Sequence, residues 1–190
     1  VDGPAGFSDA KPISNLADVK NGTVDFADFN RDDTLDVVLT GNKGTGPIMK
    51  LYTGSRDSFG ELSFTEKTSI GLSTGFENSA VDVGDLDGDG DLDIVVSGNT
   101  GAGAQTILYL NQYEENFGSL SFTNSSVGDT FADVENGTVT IGDINGSGGP
   151  DVVVTGENSV GAEQAAGYSN NTSTFGFTGN SLPSTFKNSA

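Results

Sequence analysis

Neither cysteine nor histidine occurs anywhere in the 190 residues of this chain. Without cysteine there is no disulfide, no thiolate metal centre and no thiol nucleophile. Without histidine the usual general base and the commonest transition-metal ligand are gone as well. Positive charge is scarce. Eight Lys and Arg stand against 27 Asp and Glu, a formal net charge of −19, which argues against nucleic acid or an anionic membrane surface as partner and favours cations. No run approaches the roughly 20 apolar residues that span a bilayer, so membrane insertion is not expected. No signal peptide is evident, and Val1 rather than Met stands first, so the sequence reads as a piece of a longer polypeptide.

What is present is glycine, 28 residues of it, with 34% hydrophobic and only 18% charged residues. β-Branched and aromatic residues recur between the glycines, which suits a turn-rich β protein better than a disordered one. The chain also repeats itself. "NGTVDFADFNRDDTLDVVLTGN" from Asn21, "NSAVDVGDLDGDGDLDIVVSGN" from Asn78 and "NGTVTIGDINGSGGPDVVVTGEN" from Asn136 align, with Asp28, Asp85 and Asp143 spaced 57 and 58 residues apart. Tyr52, Tyr109 and Tyr168 keep step, as do Phe64, Phe122 and Phe177, and "FGELSF" at Phe59 returns as "FGSLSF" at Phe117.

Each unit reads as four strands. The first alternates, as in Val24-Asp25-Phe26 or Val81-Asp82-Val83. The second is nearly continuous and β-branched (Val37 to Leu39, Ile94 to Val96, Val152 to Val154), as a strand covered on both faces should be. The third covers Ile48 to Tyr52 or Ile107 to Leu110, and the fourth Leu62 to Phe64 or Leu120 to Phe122. No helix of ordinary length is expected. Four-stranded antiparallel units of about 57 residues that bury both faces are the pattern of β-propeller blades; a solenoid has shorter rungs, and an immunoglobulin-like sandwich would not repeat at this period. The expected fold is therefore all-β. Blades fall at residues 21–77, 78–135 and 136–185 of one repeat domain.

The loops between first and second strands carry the chemistry. Counted from Asp85, carboxylates stand at positions one, three, five and nine: Asp85, Asp87, Asp89 and Asp93. Position six is Gly90, where a sharp turn is easiest, and position seven, Asp91, can offer its main-chain carbonyl. Alternate oxygens on a curled backbone converge, making a hard-oxygen cage suited to calcium, which takes six to eight such ligands. The first copy keeps the frame with Asp28, Asn30, Asp32 and Asp36, the Thr34 carbonyl at position seven and Asp33 in the glycine place. The third has Asp143, Asn145, Ser147 and Asp151, with Gly148 at the turn and the Gly149 carbonyl at position seven. Up to three calcium ions are expected, the third site being the weakest. An EF-hand shares the D-x-D-x-D-G opening but needs an acid at position twelve and flanking helices; position twelve is Leu39, Val96 and Val154.

With "DLDGDGDLDIVV", its two relatives and "FG" before the fourth strand, nearly the whole chain resembles the FG-GAP or VCBS-type repeats of integrin α-subunit propellers and secreted bacterial proteins. The resemblance implies a calcium loop in the hairpin between a blade's first two strands, stabilising one face of a propeller, with partners binding the opposite face. "TGN", "SGN" and "TGE" stand where that family often has Gly-Ala-Pro, nearer the bacterial type. It implies an extracellular or cell-surface module that binds a protein or a glycan. Accessory service in a polysaccharide-processing enzyme and a purely architectural role are the alternatives. No catalytic residue is expected, because the conspicuous acids are assigned to metal loops. The recurring tyrosines read as packing residues, and Arg31, Lys43 and Arg56 as too scattered for a basic site.

Three units are fewer than the four to eight blades of typical propellers. Phe7 precedes the first loop as Phe64 precedes the second, so residues 6–10, within a connector over 1–20, read as the outer strand of a preceding blade. "FKNSA" at residues 186–190 matches "FENSA" at Phe76 and reads as the start of another. Self-association of the piece follows as an expectation, through unpaired edges and apolar faces.

Overall fold

The computed structural model describes residues 15–170 and 175–181. The expectations for residues 6–10 and 186–190 lie outside them. Among the described residues, twelve strands form three sheets. The first sheet holds β1 (Val24–Ala27), β2 (Asp36–Asn42), β3 (Pro47–Arg56) and β4 (Leu62–Lys67). The second holds β5 (Glu77–Gly84), β6 (Asp93–Asn99), β7 (Ala104–Asn111) and β8 (Phe122–Asn124). The third holds β9 (Glu135–Gly142), β10 (Asp151–Glu157), β11 (Glu163–Asn170) and β12 (Phe177–Ser181). Each is an antiparallel meander in chain order, the arrangement of a propeller blade.

The repeat is kept in register, pair by pair. Val24 faces Leu39, Val81 faces Val96 and Val139 faces Val154; Val37 faces Tyr52, Ile94 faces Tyr109 and Val152 faces Tyr168. The second strands β2 and β6 are buried from their first residue to their sixth, as their unbroken apolar sequence requires. Val37, Val38, Ile94, Val95 and Val96 are wholly excluded from solvent, each contributing about 1.5–3 kcal/mol of burial.

Alternation along β2 and β6 sends the side chains of each to two cores. Val38 joins Phe29, Leu51, Ile94, Val96 and Tyr109 between the first and second sheets. Val95 joins Leu86, Leu108, Val152, Val154 and Tyr168 between the second and third. The far side of the first sheet (Val37, Leu39, Tyr52, Phe64) is covered by Leu16, Ala17 and Val19. The recurring tyrosines Tyr52, Tyr109 and Tyr168 sit in these cores, at most 5% exposed. Two use their hydroxyls as acceptors for the incoming chain: the Ala17 N–H donates to Tyr52 at 3.1 Å and the Ala132 N–H to Tyr168 at 2.7 Å.

Polar ties join the sheets at the strand ends. Asn42 Nδ2 donates to Glu77 at 2.7 Å, and Asn99 Nδ2 to Glu135 at 3.1 Å, so the Asn closing one sheet's second strand meets the Glu opening the next sheet. The residue after that Glu enters with positive φ: Asn78 at 49° and Asn136 at 55°, matched by Asn21 at 53°. Asparagine tolerates this conformation better than most residues. The kink lets the Asn78 N–H reach the Asn21 carbonyl at 2.7 Å.

One local expectation needs correcting. The fourth strand of the second unit lies at Phe122–Asn124, not Leu120–Phe122, because residues 112–119 curl into turns closed by Gly118 N–H to Tyr113 O and Ser119 N–H to Asn116 O. A five-residue 3₁₀ turn, Ser126–Thr130, also sits in the connector after it, capped by the Ser125 hydroxyl.

Candidate metal centre

All three loops fold on the same two carboxylates. The acid at position one accepts from the backbone N–H of position six in each: Asp33 to Asp28 at 2.9 Å, Gly90 to Asp85 at 3.1 Å, Gly148 to Asp143 at 2.9 Å. Position six has positive φ throughout, 63°, 93° and 91°, so glycine suits the second and third loops and Asp33 adopts the strained form in the first.

The acid at position nine begins the second strand and faces inward. Asp93 is fully buried, taking the Leu86 N–H at 2.8 Å on one oxygen and the Asn111 N–H at 2.9 Å on the other. Asp36 does the same with Phe29 and Gly54, and Asp151 with Ile144 and Asn170. One side chain thus ties the loop to the end of the third strand in every unit. Burial pushes Asp93 up to about 8 and Asp36 to about 6, against the pull of these N–H donors. A positive charge placed beside either group would favour its ionised form.

Between these anchors the second loop brings Asp85, Asp87 and Asp89 together, with one oxygen of each lying within 4.8 Å of the others. Burial, then the neighbouring Asp89 and Asp85 charges, push Asp87 up to about 6. Three like charges at this distance are held by the backbone against their own repulsion, and all are hard oxygen donors, the set that suits a divalent cation such as calcium or magnesium. The cluster could hold a metal ion.

The other loops differ in chemistry. In the first, Asn30 Nδ2 donates to Asp32 at 2.9 Å, and this leaves the buried Asn30 Oδ1 without a hydrogen-bond partner. That oxygen lacks a donor, but among the described residues the carboxylates of this loop are not grouped as those of the second are. In the third, Asn145 is turned onto its own loop: Nδ2 donates to Asp151 at 3.1 Å and Oδ1 accepts the Ser147 N–H at 2.7 Å. Asp87 Oδ1 accepts the equivalent bond from the Asp89 N–H at 3.3 Å in the second loop.

Asp91 has a further role that loop spacing does not reveal. Its side chain is fully buried, accepts the Glu114 N–H at 2.8 Å and lies 2.9 Å from the Arg31 guanidinium. Arg31 also pairs with Glu114. A residue of the first loop therefore reaches across the sheet junction into the second loop. Asp89, Asp91 and Glu115 form a second group of close carboxylates beside it. Nothing in the linear sequence marks this pairing except that Arg31 interrupts an otherwise acidic loop. A second junction tie is repeated: Asn111 Nδ2 donates to the Phe29 carbonyl at 3.0 Å and Asn170 Nδ2 to the Leu86 carbonyl at 2.6 Å. The gripped residues are position two of each loop, Phe29 and Leu86, each 1% exposed; Ile144, the same position of the third loop, is 58% exposed.

Residues 40–96 match the FG-GAP-like repeat, a window that runs from β2 through the loop of Asp85 to Asp93 and into β6. Comparison with curated proteins gave no match, and comparison with solved structures gave none either.

Proposed function

We propose that this chain, with an FG-GAP-like repeat at residues 40–96, is a calcium-dependent, non-catalytic binding or adhesion module of an extracellular protein. The observation that carries the reading is the convergence of Asp85, Asp87 and Asp89 on a loop already shaped by Asp85 and Asp93. Calcium at that point would be held by those three side chains with the Asp91 carbonyl and Asp93, and in the first loop by Asp28, Asn30 and Asp32 with the Thr34 carbonyl and Asp36. Its contribution is charge: it neutralises the carboxylates that crowd each loop, and so holds the loop against the neighbouring sheet. Millimolar calcium outside cells suits loops of this exposure, and three ions would bring the formal charge from −19 to −13.

Affinity should fall from the second loop to the first to the third. The second has carboxylates at Asp85, Asp87, Asp89 and Asp93, the first at Asp28, Asp32 and Asp36, the third only at Asp143 and Asp151, and more ligand charge tightens such a site. Calorimetric titration of the wild type and of Asp85→Ala, Asp28→Ala and Asp143→Ala is the test. The tightest phase should vanish only in Asp85→Ala, and its survival there would sink the assignment.

The partner surface is supported by what the sheets leave open. Val24, Phe26 and Leu35 are 47%, 52% and 57% exposed on the first sheet, whereas their counterparts Val81, Val83 and Leu92 pack against a neighbouring sheet. Ile144 is open on the third. These are the two faces on which a further unit of the same kind would pack, supplied by another copy or by another part of a longer chain.

A further inference from the structure

Both junctions within the chain are tied by an amide and a carboxylate, and the two open faces carry a different pair. The residue ending one unit's second strand reaches the residue opening the next: Asn42 donates to Glu77 at 2.7 Å and Asn99 to Glu135 at 3.1 Å. Inside each sheet the same two places face one another. Lys20 is opposite Asn42, Glu77 opposite Asn99 and Glu135 opposite Glu157. Lys20 therefore holds the Glu place of the first sheet, and Glu157 the Asn place of the third. Both are exposed, and neither side chain has a hydrogen-bond or ionic partner among the described residues. Glu157 also faces a like charge, since Glu135 opposite it is a carboxylate already held by Asn99. Like charges directly opposite on a sheet are destabilising, and a cation brought to Glu157 relieves them.

We propose that the third sheet of one copy of this chain packs on the first sheet of a second copy, with Glu157 meeting the partner's Lys20. The inference rests on the reading of the two open faces given above and names their occupant. The charges are complementary only in this head-to-tail sense: first face against first face sets Lys20 against the partner's Lys20, and third against third sets Glu157 against the partner's Glu157. Opposite charges across a contact fix its register and disfavour the wrong pairing. The two junctions inside the chain supply the template for the contact.

The apolar surfaces follow the same plan. Val24, Phe26 and Leu35 are open where Val81, Val83 and Leu92 of the second sheet pack on the first. On the third sheet Val153, the counterpart of the fully buried Val38 and Val95, is only half-buried. One bond of the internal junctions is missing. Asn111 and Asn170 bind the position-nine aspartate through their N–H groups and grip the preceding loop, and Gly54 stands in their place on the first sheet. The contact between copies is thus weaker than those within one, and reversible on dilution. Two copies bring six sheets, three from each, within the four to eight of a closed propeller. A ring of two covers both open faces of each copy through two contacts of this one kind.

The test is sedimentation velocity in calcium on the wild type, Lys20→Glu, Glu157→Lys, and an equimolar mixture of the two variants. Both substitutions fall on exposed side chains outside the three acidic loops. The wild type should sediment as a dimer. Each variant alone sets like charges at both contacts and should raise the dissociation constant about tenfold or more. In the mixture the native Glu157 meets the native Lys20 at one contact, and the two introduced charges meet at the other. Dimer should therefore return at the wild-type concentration. Variants that associate as the wild type does, or a mixture that stays apart, overturn the pairing. Lys187 of "FKNSA" also aligns with Glu77 in the sequence; association weakened by Lys187→Glu and not by Lys20→Glu overturns it too. A wild-type monomer overturns it and leaves the open faces to a further unit of a longer chain. Calcium titration of the same samples reads the earlier proposal separately, and its isotherm should be unchanged by either substitution.

Discussion

At position nine of each loop a single aspartate does two things that pull in opposite directions. Asp36, Asp93 and Asp151 are buried, which pushes the first two towards the uncharged form, yet each accepts backbone N–H groups from two elements that would otherwise hold unpaired donors. The second role is independent of metal. Asp151→Ala removes the acceptor for the N–H groups of Ile144, Asn145 and Asn170, and each unsatisfied group costs about 1–3 kcal/mol. Its melting temperature should therefore fall below that of the wild type even in chelator, whereas a residue that acts only as a metal ligand would show no difference there. The first role has a pH signature. Asp93 is raised to about 8, and Asp36 and Asp87 to about 6, from 3.8. The folded chain therefore binds more protons than the unfolded chain between those values, and stability falls as pH rises. Metal-free protein should lose melting temperature steadily from pH 4 towards pH 8. Calcium favours the ionised carboxylates and should flatten that slope.

At the scale of strands and loops, much was legible because the repeat supplies three readings of every feature. Unbroken Val37-Val38-Leu39 and Ile94-Val95-Val96 point to strands covered on both faces, and β2 and β6 are. The loop frame was legible for the same reason: position six requires positive φ in all three copies. What was not legible depends on contacts between units. Arg31 looks isolated in the chain, and its partners Asp91 and Glu114 are 60 and 83 residues away. Asn111 and Asn170 carry no local signal for the carbonyls they grip, and the displaced β8 follows from turns that no strand propensity announces. Phe29 illustrates how a loop residue becomes core. It is 1% exposed, packs edge-on to Phe122 at 5.7 Å and offers its carbonyl to Asn111. Phe29→Ala should cost about 3–5 kcal/mol by chemical denaturation. The same change at the exposed Phe59 should cost almost nothing.

For the whole molecule, the telling contrast is between faces that are covered and faces that are not. The described residues form three blade-like sheets, and their terminal faces leave Val24, Phe26, Leu35 and Ile144 open to solvent. Apolar surface of this kind invites association. In calcium at micromolar concentration, light scattering should give a mass above 19.4 kDa. Phe26→Glu, which places a charge on the first open face, should return the monomer. A monodisperse wild-type monomer would remove self-association as the way these faces are covered.

The grip of Asn111 on the first loop and of Asn170 on the second has a mechanical side. The first two loops are each clamped by the sheet that follows, so tension applied to the two ends of the described residues loads these two junctions in series. The chain would then lengthen in steps rather than all at once. One unit of 57 residues, the spacing of Asp28 and Asp85, releases about 190 Å of extended backbone. An ion in the first or second loop would stiffen the clamp at its own junction alone, so the two steps would each take a pulling force of their own.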